Sequence, residues 1–154
     1  MAPVTHTVAH DDLISASPLI GRWRLQRQTL RKQLLQLICS QLTSATLEEQ
    51  EICLKNLCDE LIDYISIGHF EIYSNLMCRH AKAKREIRIL TSYLYRCIGR
   101  STDLVLDFNT SCERSTVCVG SKRMSEVLGK LTRSLLVRFA LEEQMLELAT
   151  DDDF

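Results

Sequence analysis

The sequence predicts an all-α protein, an antiparallel up-and-down four-helix bundle with long helices, and three observations support this fold class. The chain has 154 residues but only two prolines and five glycines, so it offers few positions where the backbone could turn sharply. Apolar residues recur three and four positions apart over four long stretches, which is the spacing of an amphipathic helix. The stretches between them are short, and short connections favour antiparallel neighbours in a bundle.

The first half of the chain contains two predicted helices. The first begins at Ser17-Pro18, because a serine cap followed by proline in the first turn is a common helix start. It continues to about residue 42, and its apolar stripe holds Leu19, Trp23, Leu30, Leu34 and Leu37. The second begins at the capping box of Thr46 and Glu49 and ends near Arg79. Its stripe holds Leu54, Cys58, Leu61, Ile65, Ile72 and Leu76.

The second half supplies the other two predicted helices. Apolar positions at helical spacing run from Ile87 to Phe108 and from Met124 to Leu146. Between them, residues 109–121 are rich in Ser, Thr, Asn and Gly, which predicts a loop. The predicted organisation is a flexible N-terminal tail at 1–15, a single helical domain at 16–148 and an acidic C-terminal tail at 149–154.

Composition and charge exclude several classes of function. Hydrophobic residues make up 45% and charged residues 25% of the chain, and the net charge is −1, so bulk charge indicates neither nucleic acid nor a membrane as a partner. No apolar run is long enough to span a bilayer and no signal peptide is present, so we expect a cytoplasmic protein. The basic connector RHAKAKR at 79–85 could touch phosphates, but it has no interleaved aromatic residue, and direct nucleic acid binding is not expected.

Cysteine and histidine usage does not indicate a metal site or a cofactor. The seven cysteines stand at positions 39, 53, 58, 78, 97, 112 and 118, with no C-x-x-C pair. We interpret them as small apolar residues in a reducing compartment, with a redox or zinc role as the alternative. His6 and His10 are four residues apart, but they lie in a stretch where a disordered tail is expected.

The stretch DYISIGHFEIY at 63–73 places polar groups where a core helix would be apolar. On a wheel of about 100° per residue, His69 shares a stripe with Ile65 and Ile72. A second row beside that stripe holds Asp59, Asp63, Ser66, Phe70 and Tyr73. Gly68 costs a helix roughly 1 kcal/mol relative to alanine, so we expect it to allow the close approach of a neighbouring helix.

The fourth predicted helix also carries charge on its apolar stripe. Arg138 and Glu142 are four residues apart and share a face with Leu135 and Leu146. Because a buried unpaired charge is costly, both groups need partners inside the bundle. We therefore predict a buried polar network, with Arg22 as a further candidate, whose members are Asp63, Ser66, His69, Arg138 and Glu142.

No catalytic motif accompanies these polar residues. The chain has no G-x-S-x-G, H-E-x-x-H, P-loop or G-x-G-x-x-G, and it lacks the repeated Glu-x-x-His signature of a di-iron bundle. We expect no enzyme, because a histidine near an acid is more often structural. One alternative is a histidine phosphotransfer domain with His69 as the phosphoacceptor, although the typical H-x-L-K-G is absent. Another is a DNA-binding protein that uses the basic connector.

Three blocks of the sequence resemble the Rsd/AlgQ family of bacterial regulators. They are LIGRW at 19–23 with Arg27, LCDELIDYISIGHFEIY at 57–73, and RFALEEQML at 138–146. The second block is the most specific, with its Asp-Tyr, Ser, Gly-His-Phe and Tyr. The likeness extends over about residues 18–148. It departs from the family pattern at Gly21, where an acid is usual, and at Ile67, where a small residue is usual.

The resemblance implies an anti-sigma factor-like transcription regulator that binds and sequesters the C-terminal domain of the primary sigma-70 factor, favouring alternative sigma factors in stationary phase. It implies a sugar-phosphotransferase phosphocarrier protein as a second candidate partner. The mechanism would be steric occlusion without chemistry. The residues expected to serve partner binding are Arg22, Trp23, Arg27, Asp63, Ser66, Phe70, Tyr73, Arg138 and Glu142.

Overall fold

The computed structural model describes residues 18–114 and 119–150, and these ranges are almost entirely helical. The helices are α1 (Pro18–Leu42), α2 (Leu47–Ile67), a π-helical segment (Gly68–Tyr73), α3 (Ser74–His80), α4 (Arg85–Glu113) and α5 (Lys122–Thr150). The π-helical segment joins α2 to α3 without a break, so the described chain folds into four long helices. No strand occurs in these two ranges, and the prediction of an all-α protein is confirmed.

The start of α2 is fixed by the capping box that the sequence predicts. The hydroxyl of Thr46 accepts a hydrogen bond from the Glu49 amide at 3.2 Å, and Glu49 Oε2 accepts one from the Thr46 amide at 2.9 Å. Two amides that the helix itself cannot satisfy are thereby paired.

A single hydrophobic core runs between the four long helices. Every long helix contributes fully buried side chains, among them Leu37, Leu61, Ile98 and Leu135. Helix α1 packs on α2 and α5, α2 packs also on α4, and α4 packs on α5. The core therefore lies between helix faces whose apolar residues recur at helical spacing.

Two predicted helix ends are wrong, because residues that pack against the core continue the helices into stretches whose composition predicts a loop or a tail. Residues 109–113 were expected in a loop, but α4 continues to Glu113, where Cys112 packs against the core one turn after the buried Phe108. The acidic tail was expected from residue 149, but α5 continues to Thr150 and Ala149 is 3% exposed. The predicted tails at 1–15 and 151–154 lie outside the described residues.

The π-helical segment changes the direction in which the side chains of α3 point around the helix axis. Because its hydrogen bonds join residues five apart instead of four, it holds an extra residue compared with a regular helix. At about 100° per residue, α3 is turned by roughly one residue relative to a continuous α-helix. Tyr73, Leu76 and His80 consequently point into the core with Leu61, while Phe70 remains on the surface.

The cysteines are less uniform than the sequence interpretation holds. The six described cysteines are all free thiols, but only Cys58 is buried, and Cys39 and Cys78 are exposed. Cys118 lies outside the described residues.

In the described ranges, no helix combines the length and apolar character that crossing a membrane requires.

Candidate functional site

A carboxylate buried in the middle of the protein organises the candidate site. Glu142 on α5 is only 1% exposed. Its Oε1 accepts hydrogen bonds from Arg138 Nε at 2.8 Å and from the Tyr73 hydroxyl. Its Oε2 accepts from Arg27 Nη2 at 3.1 Å and from the Tyr64 hydroxyl. Two cations and two phenols thus satisfy a charge that would otherwise be costly to bury. We call these five residues the Glu142 cluster.

Arg138 connects the cluster to α4. Its side chain is fully buried, and its Nη1 donates to the hydroxyls of Ser101 at 3.1 Å and Thr102 at 2.8 Å. Its Nη2 donates to the Tyr73 hydroxyl at 2.9 Å. Burial alone would lower the pKa of this guanidinium, but Tyr73 and Glu142 outweigh it, and the pKa is raised. The group is therefore charged at every physiological pH.

Arg27 connects the cluster to α1 and to a second carboxylate nearer the surface. Its Nε donates to the Tyr64 hydroxyl at 3.1 Å, and its Nη1 bonds Glu143 Oε1 at 2.5 Å. Arg24 also donates to Glu143, at 3.2 and 3.1 Å. Burial raises the pKa of the Glu143 carboxyl, but the hydrogen bonds from Arg24 and Arg27 outweigh that effect and the pKa is lowered.

Aromatic rings shield the cluster from water. The rings of Trp23 and Tyr64 are stacked with centroids 5.2 Å apart, and Trp23 meets the Tyr73 ring edge-on at 5.9 Å. The guanidinium of Arg27 lies 5.3 Å from the ring centroids of both Trp23 and Phe139. Such contacts stabilise the cation, and the low dielectric strengthens the hydrogen bonds inside.

The two phenols remain neutral donors. Burial, followed by the charge of Glu142, raises the pKa of Tyr64 and of Tyr73 above their usual value. A protonated phenol can donate to Glu142 while its oxygen accepts from an arginine, as Tyr64 does with Arg27 and Tyr73 with Arg138. The charges and hydrogen bonds of the cluster are mutually satisfied, which gives it the character of a structural centre.

His69 lies at the edge of this centre. Its Nε2 is 3.1 Å from the Thr102 hydroxyl, which itself accepts from Arg138. Burial, then the charge of Arg138, lowers the pKa of the imidazole, so the ring is neutral near pH 7. The imidazole ring makes T-shaped contacts with the rings of Tyr73 and Tyr95, with centroids 5.2 and 6.3 Å apart. A half-buried imidazole with its Nε2 already engaged gives no support to the phosphotransfer alternative.

Three of the residues predicted for a buried network lie outside it. Asp63 and Arg22 are exposed. Ser66 is half-buried and donates to the Ile62 carbonyl of its own helix at 2.7 Å. The prediction is wrong for these residues because Tyr64, one position after Asp63, follows the buried Leu61 by one turn and takes the inward direction. The structure does bring Arg138 and Glu142 together, with His69 beside them.

Several members of the centre were missed in the sequence. Tyr64 and Glu143 each stand next to a residue that was singled out, and Ser101 and Thr102 look like ordinary helix positions. The signal for Tyr64 was present, since it lies three residues after Leu61 and seven after Leu57, on the core stripe. For Ser101 and Thr102, only the contact with Arg138 reveals the role.

Gly68 makes room for the Tyr73 ring, and the prediction that it allows a neighbouring helix to approach is wrong. A Cβ atom at Gly68 would lie 3.1 Å from the Tyr73 hydroxyl oxygen and 3.2 to 3.3 Å from its ring carbons. The absent side chain therefore makes room for a ring of the same helical stretch, which the π-helical segment turns inward. That ring in turn places its hydroxyl against Glu142 and Arg138.

A groove lies on the outer side of α1 and α2, next to this centre. It encloses about 370 Å³, and its lining includes Arg22, Leu25, Ile67 and Glu71. Phe70 is 82% exposed and directly precedes Glu71, which lines the groove. Asp63 is exposed on α2, one turn before the lining residue Ile67. Phe70, Arg22 and Asp63 are thus the predicted partner-binding residues that lie on the surface.

Ser66 is half-buried, and the other five predicted partner-binding residues are buried. They are Trp23, Arg27, Tyr73, Arg138 and Glu142, and each is at most 6% exposed. Within 18–114 and 119–150, no group of three or more His, Cys, Asp and Glu side chains could hold a metal ion. The site therefore consists of a surface groove beside a buried, fully hydrogen-bonded cluster of charges.

Comparisons with known proteins agree with this description. The family described as "Regulator of RNA polymerase sigma(70) subunit, Rsd/AlgQ" matches residues 5–150. A regulator of sigma D from Yersinia enterocolitica is 28% identical over 102 residues, which are 66% of this chain and 61% of that protein. The one from Yersinia pseudotuberculosis serotype O:1b is 25% identical over 142 residues, 88% of this chain and 82% of that protein. No solved structure matches the chain. The protein belongs to the Rsd/AlgQ family, whose members are non-enzymatic regulators of the sigma-70 subunit of RNA polymerase.

Proposed function

We propose that this protein is an anti-sigma factor that binds the C-terminal domain of the primary sigma-70 factor and prevents it from engaging the polymerase and the promoter. Membership of the Rsd/AlgQ family supports the regulatory role. The observation that carries the choice of surface is Phe70, a large aromatic side chain that is 82% exposed next to a groove. Large exposed apolar groups beside a concave surface are typical of protein-binding sites.

The chemistry of this surface suits a basic, helical partner. Phe70 supplies an aromatic anchor, and Leu25, 62% exposed, extends the apolar area on α1. Glu71 is an exposed acid that lines the groove, and Asp63 is an exposed acid on α2 one turn before the lining residue Ile67. A DNA-reading sigma domain is rich in lysine and arginine. Arg22 adds a positive group that can pair with an acid of the partner. Complementary charge of this kind accelerates association and makes binding sensitive to salt.

The buried residues act by shaping this surface. Trp23, whose indole donates to the Tyr64 carbonyl at 3.3 Å, and Arg27 hold α1 against α2. Tyr73 fixes the rotation of the π-helical segment and therefore the direction of Phe70. In this proposal Trp23, Arg27, Tyr73, Arg138 and Glu142 are scaffold residues and do not touch sigma.

The same proposal includes an antiparallel up-and-down order of the four long helices. Side-chain contacts between α1 and α5 support it. Ser125, near the start of α5, donates to Gln41, near the end of α1, at 2.7 Å. Arg24, near the start of α1, pairs with Glu143, near the end of α5, at 3.1 Å. Contacts between opposite ends are what antiparallel helices make.

The cellular consequence is also a proposal. Sequestering the primary sigma factor would leave core polymerase for alternative sigma factors in stationary phase, in the cytoplasm where transcription takes place. A phosphocarrier protein of the sugar-phosphotransferase system remains a candidate second partner. Neither requires a reaction at this site, because mass action alone shifts the pool of free sigma.

The experiment is a titration of the protein with the isolated C-terminal domain of the organism's primary sigma factor, followed by calorimetry at low and at physiological salt. We expect binding to the wild type, weaker at higher salt. Phe70→Ala should weaken binding by a factor of about 30, as loss of an aromatic hot spot of about 2 kcal/mol does. Its melting temperature should be unchanged, because the side chain is exposed.

Leu42→Ala is the matched control, because Leu42 is 84% exposed but lies at the far end of α1. It should bind sigma as the wild type does. Absence of wild-type binding at low salt would refute the proposed function. Equal affinity of Phe70→Ala and wild type would refute the assigned surface.

A further inference from the structure

A stripe of arginines runs along the outer face of α4 and has no role in the site described above. Arg85, Arg88, Arg96 and Arg100 follow one another at helical spacing, with Ser92 completing the row, and all four arginines are exposed. Among the residues that the structure describes, no carboxylate forms an ion pair with any of them, and their side chains make no hydrogen bond. Four cations are therefore held on one face without internal compensation.

Two shallow grooves follow this stripe. The first encloses about 460 Å³ along α4 and is lined by Arg85, Arg88, Ile89, Ser92 and Arg96. The second encloses about 470 Å³ between α4 and α5, where Arg100 and Arg133 lie on opposite walls and Leu104, Val137 and Leu141 contribute apolar surface. Arg133 is exposed as well, and no described side chain pairs with it.

Apolar and aromatic side chains accompany the arginines. Ile89 is exposed by 59%, Tyr93 by 56% and Val137 by 60%. Arginine and tyrosine are among the side chains that contribute most to protein interfaces, and exposed aliphatic groups between them add area that a partner can remove from water. A surface that served only for solubility would favour lysine and glutamate and would lack the apolar groups. We call Arg85, Arg88, Tyr93, Arg96, Arg100 and Arg133, with the two grooves, the α4 face.

We propose that the α4 face is a second docking surface, and that its occupant is an acidic amphipathic helix of a partner protein. Arginine guanidinium groups pair with carboxylates in bidentate geometry, so a row of them selects an acidic segment. The stripe from Arg85 to Arg100 is about 22 Å long at about 1.5 Å per residue, which matches four turns of a helix. Ile89, Tyr93 and Val137 would meet the apolar side of that helix, as in helix-in-groove recognition.

This surface is separate from the one proposed for sigma, and its chemistry is opposite. The sigma surface lies on α1 and α2 and presents Phe70 with acids, whereas the α4 face presents arginines, and their grooves share no lining residue. The proposal therefore does not rest on sigma binding, and Phe70→Ala should leave it unchanged.

The test uses the full chain and a designed probe. The probe is a fluorescein-labelled synthetic peptide of 18 residues, with leucines at helical spacing on one side and glutamates on the other. A second peptide has the same composition in an order that breaks the leucine stripe, and a single-stranded oligonucleotide of the same length serves as a polyanion. Fluorescence anisotropy at physiological salt reports binding of each. We expect the amphipathic peptide to bind about tenfold more tightly than the shuffled one.

Protein variants then locate the binding. Arg96→Glu with Arg100→Glu should weaken peptide binding about tenfold or more, and Tyr93→Ala should weaken it without a change of charge. The matched control is Lys122→Glu with Arg123→Glu, which makes the same charge change at exposed positions in the first turn of α5 and should bind within about twofold of wild type. Helical content by circular dichroism should be the same for all variants.

Three results would overturn the proposal. The first is equal affinity for the amphipathic and shuffled peptides, since that would reduce recognition to bulk charge. The second is an equal loss in the control variant. The third is tighter binding of the oligonucleotide with the same dependence on Arg96 and Arg100, because the face would then belong to a nucleic acid. Failure of the sigma titration leaves this test intact, so the two proposals fail separately.

Discussion

Replacement of the central carboxylate is the most direct test of the buried centre. Glu142→Gln keeps the volume of the side chain but removes the charge shared by Arg27 and Arg138. It also turns one acceptor oxygen into an amide donor that faces other donors. Removing one partner of a buried ion pair costs about 3–5 kcal/mol, a large part of the roughly 5–15 kcal/mol by which a domain is stable. At about 2–4 °C per kcal/mol for a chain of this size, the melting temperature should fall by about 6–20 °C.

The neighbouring residue provides the control for this measurement. Glu143→Gln makes the same chemical change one position later, but the Glu143 side chain is 35% exposed and one of its partners, Arg24, is 36% exposed. Its other partner, the buried Arg27, keeps Glu142 as a counter-ion when the Glu143 charge is removed. The loss should therefore be that of a partly exposed pair, about 0–1 kcal/mol, and the melting temperature should fall by less than about 4 °C. Thermal and urea unfolding followed by circular dichroism measure both variants. Equal losses, or a loss below about 1 kcal/mol for Glu142→Gln, would show that Glu142 is not the organising charge.

Three further predictions concern single positions. Gly68→Ala should destabilise the protein by about 1–3 kcal/mol, because the new methyl group crowds the Tyr73 ring. Gly99→Ala is the control, because the space around Gly99 is open, and it should stabilise the protein by up to about 1 kcal/mol. Urea unfolding measures both free energies. Thr46→Ala should cost about 1 kcal/mol through loss of the α2 cap, and native-state hydrogen exchange should show faster opening of the first turn of α2 with α4 unaffected. Burial, with a buried guanidinium second, holds the pKa of His69 below its ordinary 6.5, so protons bind the unfolded chain preferentially. The neutral imidazole therefore stabilises the folded protein above pH 6.5, and this stabilisation declines as the pH falls below 6.5. Between about pH 7.5 and 5, the free energy of unfolding of His69→Gln should fall less than that of the wild type. Parallel curves of unfolding free energy against pH would contradict the lowered pKa.

The helices were predictable because they depend on local signals. The cap at Thr46 is a pattern of two residues three apart, and the core stripes follow from spacing alone. The end of α4 was not predictable from composition, because Cys112 continues the buried stripe through a stretch rich in Ser and Thr. Packing of one apolar residue against the core outweighs weak local preferences for a loop.

The buried centre was only partly predictable, for a geometric reason. Arg138 and Glu142 are recognisable as charges on an apolar stripe, and their spacing places them in contact. The place of Tyr73 was not derivable from a regular wheel, since the π-helical segment adds a residue and the pattern of apolar residues does not signal it. The same wheel put Asp63 and Tyr73 on one row, whereas the structure exposes one and buries the other.

The π-helical segment also connects Phe70 to the Glu142 cluster, because it contains both Phe70 and Tyr73. In a regular helix, residues three apart face the same way, but here Phe70 points to solvent while Tyr73 is anchored to Glu142 and Arg138. The backbone at Phe70 lies in the same π-helical segment as Tyr73, whose hydroxyl is held by two buried charges. The backbone that carries Phe70 is therefore ordered before any encounter, and a partner that binds there has only the rotamer of the Phe70 side chain left to fix. Added salt should slow the approach of a charged partner without loosening the anchor, because the charges that hold it are shielded from solvent ions.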